Sequence, residues 1–205
     1  MFTGIVAGTA KLIDATNKPG LNSYTFEFFD DKSSTNLGAS VALNGCCLTV
    51  TKTEANRLSF DLMAETLALT NLQGLEIGAV VNYEHAAKMG DEIGGHVLSG
   101  HIHCTATVCK VAPSENNLEL RFEVPQQWSK YIFEKGYIAI NGASLTVGQV
   151  RDNQFSVWLI PETLRITTFE GIRKGDQVNI EVDSHTQAIV DTLERVLPDF
   201  LAKQR

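Results

Sequence analysis

The residues best equipped for chemistry fall in two short stretches. NGCCLTV, residues 44–50, places Cys47 two positions before Thr49. Side chains along a strand alternate faces, so these two would share one face and Cys46 would take the other. A thiol beside a hydroxyl forms a small polar pair able to hydrogen-bond a ligand, and a thiolate is a nucleophile. A small buried cysteine of the core is the competing assignment. GGHVLSGHIHC, residues 94–104, carries His96, His101 and His103. Imidazole exchanges protons near neutral pH, which makes these candidate acids or bases. His101 and His103 would share a strand face and could instead pair on a metal. No carboxylate or third histidine stands at ligand spacing apart from His96, on the opposite parity.

The thiol stretch is written twice. NGASLTV, residues 141–147, repeats it at an offset of 97, with Ser144 and Thr146 in the places of Cys47 and Thr49. LSFDLMAETLALTNL (58–72) falls on FSVWLIPETLRITTF (155–169), matching Glu65 with Glu162 and Thr66 with Thr163. GLEIGAVVNYE (74–84) falls on GIRKGDQVNIE (171–181). Register held over so many positions marks an internal duplication. The Glu-Thr pairs could cap turns or touch a ligand, and both roles stay open. The same offset sets Gly4 against His101 and Val6 against His103, so imidazole stands in one copy where the other has no titratable group.

The elements that must position these residues are short β-branched and apolar runs separated by Gly, Asn and Asp turns. That pattern predicts an all-β fold, a barrel or sandwich unit of roughly 90 residues in each copy. Domains are expected at 1–87 and 88–185, joined near Tyr83 to Gly95, with a C-terminal α-helix over 186–205. Ile189, Leu193, Val196 and Leu197 form one helical stripe there. A helix so short needs a docking partner for that stripe, and Pro198 is expected to end or kink it.

Composition excludes several classes. Formal net charge is −7 and no Lys/Arg run exceeds two residues, which leaves no footprint for nucleic acid. No run of about 18 apolar residues suggests a membrane span, and no basic leader precedes an apolar run. Cys46, Cys47, Cys104 and Cys109 are too few and too irregular for a disulfide framework, so reduced thiols and a cytoplasmic location are expected. No G-x-G-x-x-G, P-loop or G-x-S-x-G occurs.

MFTGIV, NGCCLTVT, GGHVLSGHI, NGASLTV, IPETLRITT and GDQVNIEVD, in that order across nearly the whole chain, resemble the riboflavin synthase family. The resemblance implies two six-stranded Greek-key β-barrels followed by a C-terminal helix. It implies a homotrimer whose active sites lie between the first barrel of one subunit and the second barrel of another. The implied reaction joins two molecules of 6,7-dimethyl-8-ribityllumazine, moving a four-carbon unit from one to the other, with no cofactor and no metal. The products are riboflavin and 5-amino-6-(D-ribitylamino)uracil, and a possible further partner is lumazine synthase.

By similarity, one substrate ring is held by Cys47, Leu48 and Thr49 together with Asp61, Leu62, Met63, Ala64, Glu65 and Thr66. It is reached by Gly100, His101, Ile102 and Lys135 of a neighbouring second barrel. The other ring is held by Ser144, Leu145 and Thr146 with Trp158, Leu159, Ile160, Pro161, Glu162 and Thr163, and is reached by Gly4, Ile5 and Val6. The lumazine 7-methyl group is acidic because its carbanion delocalises into the ring. His101 is the implied proton-transfer residue, Cys47 a nucleophile or polar contact, and Ser144, Thr146 and Asp183 polar supports. Many relatives carry Asp where this chain has Asn141, and His103 lies outside the family pattern. A non-catalytic lumazine-carrying antenna protein on the same double barrel is the alternative.

Overall fold

The computed structural model describes residues 1–29 and 35–202. Six antiparallel strands, β1 (Gly8–Lys18), β2 (Leu21–Phe28), β3 (Ser40–Leu43), β4 (Cys46–Glu54), β5 (Arg57–Met63) and β6 (Val80–His85), close into a barrel in the order β1-β2-β5-β4-β3-β6. The order is that of a Greek key. Alternation fills the interior with Leu12, Phe26, Phe28, Leu43, Phe60, Leu62 and Tyr83, all essentially inaccessible, and leaves the polar partners outside. Helix α1 (Ala64–Leu69) and a single 3₁₀ turn carry the chain from β5 to β6.

The second copy repeats this with β7 (Cys104–Pro113), β8 (Leu118–Glu123), β9 (Tyr137–Ile140), β10 (Ala143–Thr146), β11 (Val150–Arg151), β12 (Gln154–Leu159), helix α2 (Pro161–Ile166) and β13 (Gln177–Val182). Its sheet has seven strands, in the order β10-β9-β13-β7-β8-β12-β11. The extra strand arises because the counterpart of β4 is interrupted between Thr146 and Val150. Across that gap Gly148 N–H donates to Ser156 O at 2.7 Å and Ser156 N–H to Gln149 O at 2.9 Å, so the seam to β12 is held by single bonds in place of a ladder.

The repeat changes register once. Ala10 faces Val81 and Ala106 faces Val178, an offset of 96 on β1 and β7, whereas Phe60 and Val157 face Tyr24 and Leu120, an offset of 97 on β5 and β12. The additional residue of the second copy therefore falls between its second and third strands, where Gln126–Tyr131 forms a 3₁₀ segment. The expected alignment of the opening segment is corrected accordingly: Gly4 matches Gly100, Ile5 matches His101, and Val6 matches Ile102. Two buried carboxylates demonstrate this. Glu84 accepts from the N–H and hydroxyl of Thr3 (2.6 and 2.7 Å) and from Gly4 N–H (3.0 Å). Glu181 accepts in the same way from Ser99 (2.7 and 2.7 Å) and Gly100 (3.1 Å).

The two barrels exchange their leading segments. Phe2 and Leu98 form a reciprocal pair of 2.9 Å backbone bonds; Val6 sits in the core of the second barrel, and Ile102 packs on the core of the first. The Asn-Gly hairpin turns meet at the centre. Asn44 and Asn141 both have φ of 44°, Gly45 and Gly142 have 80° and 81°, the positive values a two-residue hairpin turn requires. Around them Asn82 Nδ2 donates to Asn141 O (3.0 Å) and Asn179 Nδ2 to Asn44 O (2.9 Å), a matched pair of buried bonds from barrel to barrel. Asn141 is thereby a structural residue, its Oδ1 accepting from Asn179 N–H at 2.8 Å.

Helix α3 spans Ser184–Ala202 and runs through Pro198, against the expectation that it ends there. Pro198 is exposed, so the carbonyl it cannot serve remains open to water. Val190 packs on the second core, Tyr131 OH donates to Asp191, and Lys130 pairs with Glu194. The tail is thus tied to the second barrel, a contact the sequence did not suggest, while Ile189, Leu193, Val196 and Leu197 stay exposed.

Candidate active site

Because side chains fill both barrel interiors, the candidate ligand faces are on the outer surface, where Cys47 and Ser144 stand. β4 delivers the expected alternation. Cys46 is buried in the first core, where desolvation, then the nearby Cys47 and Glu181 charges, push its thiol up to about 12. Cys47 is half-buried on the opposite face, and Thr49 beyond it is exposed. Burial also holds the Cys104 thiol at about 12, so Cys46 and Cys104 are inert at neutral pH. Cys47, half-buried on the outer face of β4, is the candidate thiol of this site.

The segment before β7 arrives against this face. Cys47 N–H donates to Gly100 O at 2.8 Å, and a Cβ on Gly100, whose φ is +79°, would lie 2.5 Å from Cys47 Cβ. Only glycine allows that approach. The following His101 is exposed and is fixed through its backbone N–H on Ser99 Oγ (3.0 Å). Beyond the Val50–Phe60 pair, the next residues of the two strands are Thr49 and Asp61, and Asp61 accepts from Ser23 Oγ at 2.6 Å. Met63, Ala64 and Glu65 continue the exposed rim, with Thr66 half-buried beside them.

The second face is built in the same way and furnished differently. Ser144 N–H donates to Gly4 O at 2.8 Å, and a Cβ on Gly4 would lie 2.5 Å from Ser144 Cβ. Ser144 Oγ lies 2.6 Å from His96 Nδ1, and the His96 ring stacks on Tyr137 with centroids 5.0 Å apart and planes 20° apart. Tyr137 itself stands directly opposite Thr146 in the β9–β10 ladder. His96 is only 7% exposed; burial holds its pKa below the usual imidazole value, with the Asp183 carboxylate acting against that trend. His96 Nε2 is buried without a partner among the described residues. The exposed apolar rim is richer here: Trp158, Ile160 and Ile5, beside Pro161 and Glu162, with Thr163 half-buried and Leu145 partly on the core.

The structure adds detail to several expected contacts. Leu48, Leu62, Leu159 and Val6 have their side chains in the barrel cores, so they can meet a ligand only through backbone atoms. Gly100, expected to reach the Cys47 face from a neighbouring second barrel, meets Cys47 within the same chain. Lys135, expected to reach a Cys47 face from a neighbouring subunit's second barrel, lies just before β9, its N–H donating to Val147 O at 2.9 Å. Asp183 caps α3: its Oδ2 accepts from Thr186 N–H and Oγ–H, both at 2.8 Å. Against the opposing effect of burial, these bonds and the His96 and His185 imidazoles hold its carboxyl below the usual range.

Glu65 and Glu162 lie in the first turns of α1 and α2, and Glu162 bonds Arg165 at 2.6 Å. Both ring nitrogens of His103 are engaged within the chain. Its Nδ1 accepts from Val182 N–H (3.3 Å), its Nε2 meets Gln187 Oε1 (3.1 Å), and its ring packs edge-on to Trp128. No cluster of three or more metal-ligating side chains occurs among the described residues. Tyr137 escaped the sequence reading. Its signal was present, since at the offset of 97 it falls on Ser40, an aromatic ring where the first copy has a hydroxyl.

A cleft of about 900 Å³ runs along the seam between α1 and α2 and is lined by Asn44, Asn71, Asn141 and Thr168. It includes none of Cys47, Ser144 or His101.

Comparison with known proteins agrees with this architecture. The lumazine binding domain model matches twice, over residues 3–86 and 99–183. Riboflavin synthase of Escherichia coli (strain K12) is 55% identical over 96% of this chain and 93% of its own. That of Buchnera aphidicola subsp. Schizaphis graminum is 45% identical over 96% of both chains. Among solved structures, LumP complexed with riboflavin superposes with a TM-score of 0.83 at 28% identity, over 90% of this chain and all of that one. LumP complexed with 6,7-dimethyl-8-(1'-D-ribityl) lumazine gives 0.82 at 26%. With two lumazine-binding domains in tandem and near-complete coverage by its relatives, this chain belongs to the riboflavin synthase family of transferases.

Proposed function

We propose that the chain converts two molecules of 6,7-dimethyl-8-ribityllumazine into riboflavin and 5-amino-6-(D-ribitylamino)uracil. The observation that carries this is the pair of superposable outer faces that differ in their reactive groups, Cys47 on one and the Ser144–His96 pair on the other. Two identical substrates call for two matching cradles, and a donor and an acceptor call for different chemistry in each. A neutral imidazole or a thiolate is a base of the right strength to remove a proton from the acidic 7-methyl group. Holding the two rings in reacting register supplies up to about 7–11 kcal/mol of the barrier reduction.

Each face is half open in the single chain, and exposed Trp158 and Ile160 need covering. A trimer in which the first barrel of one subunit faces the second barrel of the next would close both, with the exposed α3 stripe as its bundle. His101, exposed beside Cys47, is then placed to meet the ring held by the other subunit. We assign the protein to the cytoplasm. Incubation of purified protein with the lumazine alone should produce riboflavin absorbance and fluorescence. Tight lumazine binding without turnover would favour a LumP-like carrier, and unaltered sedimentation as a monomer would refute the trimer.

A further inference from the structure

We infer that Tyr137 is a positioning residue for the second face: its phenol ring holds the His96 imidazole in line with Ser144, creating a His–Ser pair that the first face lacks. The activity readout below rests on the proposed function; the positional claim does not.

His96 lies outside any strand, between Gly95 and the segment that reaches across to the first barrel. Its backbone is brought in by Gly95, where a Cβ would lie 2.4 Å from Thr3 O and 2.6 Å from Ser144 Cβ. The chain therefore passes hard against Ser144, and the imidazole needs something to fix its plane. Ser144 supplies one point, the 2.6 Å contact to Nδ1, but a single hydrogen bond leaves the ring free to turn about it. The Tyr137 face, nearly parallel at 20°, removes that freedom. Tyr137 is itself fixed by the ladder, opposite Thr146, two residues along from Ser144 on the same face of β10. Ser40 occupies the corresponding place opposite Thr49 in the first copy and has no ring to offer.

Three groups act on this imidazole among the described residues: the Ser144 hydroxyl from β10, the Tyr137 phenol from β9, and the Asp183 carboxylate following β13. Covering by Tyr137 keeps water off the ring and favours its neutral form, with the Asp183 charge working the other way. A neutral imidazole on Ser144 can accept the hydroxyl proton or donate its own, and Nε2, buried and unpartnered, stands ready for one further group.

Tyr137 is 54% exposed, so its replacement should leave the fold intact. The test compares Tyr137→Ser, which copies the first barrel, with Tyr137→Phe, which keeps the ring. In the serine variant the His96 NMR titration should move up toward the value of a solvated imidazole, about 6.5. Its kcat/KM should fall below about pH 7 and recover above pH 8, with lumazine affinity held within about twofold. The phenylalanine variant should match the parent in both. A His96 titration unchanged in Tyr137→Ser would overturn the inference, as would equal loss in both variants. Should the serine variant misfold, the parent decides: His96 ring protons without an upfield ring-current displacement would sink the stack. If the parent shows no turnover, the proposed reaction fails, while the His96 titration still judges the role of Tyr137.

Discussion

The Cys47 face and the Ser144 face share one backbone plan and differ in what it carries. Each is a strand leaving an Asn-Gly turn, approached by a glycine of the other barrel whose carbonyl accepts at 2.8 Å, and each approach is anchored on a buried glutamate. The backbone approach to each face is duplicated. Three of the matched side chains are not: thiol against hydroxyl, Ser40 against Tyr137, Asp61 against Trp158. The separation teaches that duplication kept the cradle and released the furnishings, which is what a reaction between two copies of one molecule requires.

The largest effects should come from breaking what the faces share. Gly45 and Gly142 meet at the centre, where a Cβ on either would lie 2.7–2.8 Å from the backbone nitrogen of the other, at φ near +80°. Gly142→Ala combines a left-handed penalty of about 1–2 kcal/mol with a backbone clash of about 1–3 kcal/mol. Gly45→Ala should match it. Denaturant unfolding measures both, and a clear inequality between them would show that the two barrels do not lean equally on the central contact.

Next come substitutions that erase the difference. Cys47→Ser makes the first strand resemble the second, and a hydroxyl can still hydrogen-bond but is far less acidic. We expect kcat to fall by roughly ten- to a hundredfold with lumazine binding largely kept, and His101→Gln to behave likewise. If both retain full kcat, positioning alone drives the reaction, and the contrast between thiol and hydroxyl is incidental.

How far the sequence could anticipate this follows from where its signals lie. The strands announce themselves by alternation, and the two Asn-Gly turns fix the repeat, so the double barrel and the opposed faces of Cys46 and Cys47 were legible. The register change was not, because one added residue falls in the stretch between second and third strands where the copies share little. That shift misplaced His101 by one position. The His96–Tyr137 stack was equally hidden, since it joins residues 41 apart through a loop that no periodicity describes. The family resemblance marked Asp183 as a site residue, but its cap on α3 was not legible because no local pattern showed that Thr186 would bond back to it.

A smaller effect tests the tail, which belongs to one barrel only. Deleting 184–205 removes the exposed apolar stripe and should abolish self-association in sedimentation velocity. It also uncovers the part of the second core that Val190 covers and strips Tyr131 of Asp191. The second barrel should lose about 1–3 kcal/mol, while the first is untouched. Unaltered assembly after truncation would refute the role in self-association proposed for the α3 stripe.

The smallest expected effect is a pH dependence that again distinguishes the barrels. His96 and His103 are both held below the ordinary imidazole pKa, chiefly by burial, and both lie with the second barrel. The unfolded chain takes up their protons near pH 6.5, before the folded chain does, so ν in the unfolded state is the larger and stability falls as pH drops below that value. The fall ends once pH passes the depressed folded pKa values. Glu84 behaves oppositely: burial raises its carboxyl despite the bonds from Thr3 and Gly4, so its contribution is present at low pH and is lost as pH rises through the raised value. The imidazole loss belongs to the approach to pH 6 from above. His103→Gln can keep a hydrogen bond to Val182 or Gln187 but cannot titrate, so it should flatten the decline between pH 7.5 and 5.5 without altering stability at pH 7.5 by more than about 1 kcal/mol. Urea unfolding at steps across that window reads the slope directly. A variant with the parent's slope would mean that His103 is not one of the groups whose protonation loosens the second barrel, leaving His96 to account for it.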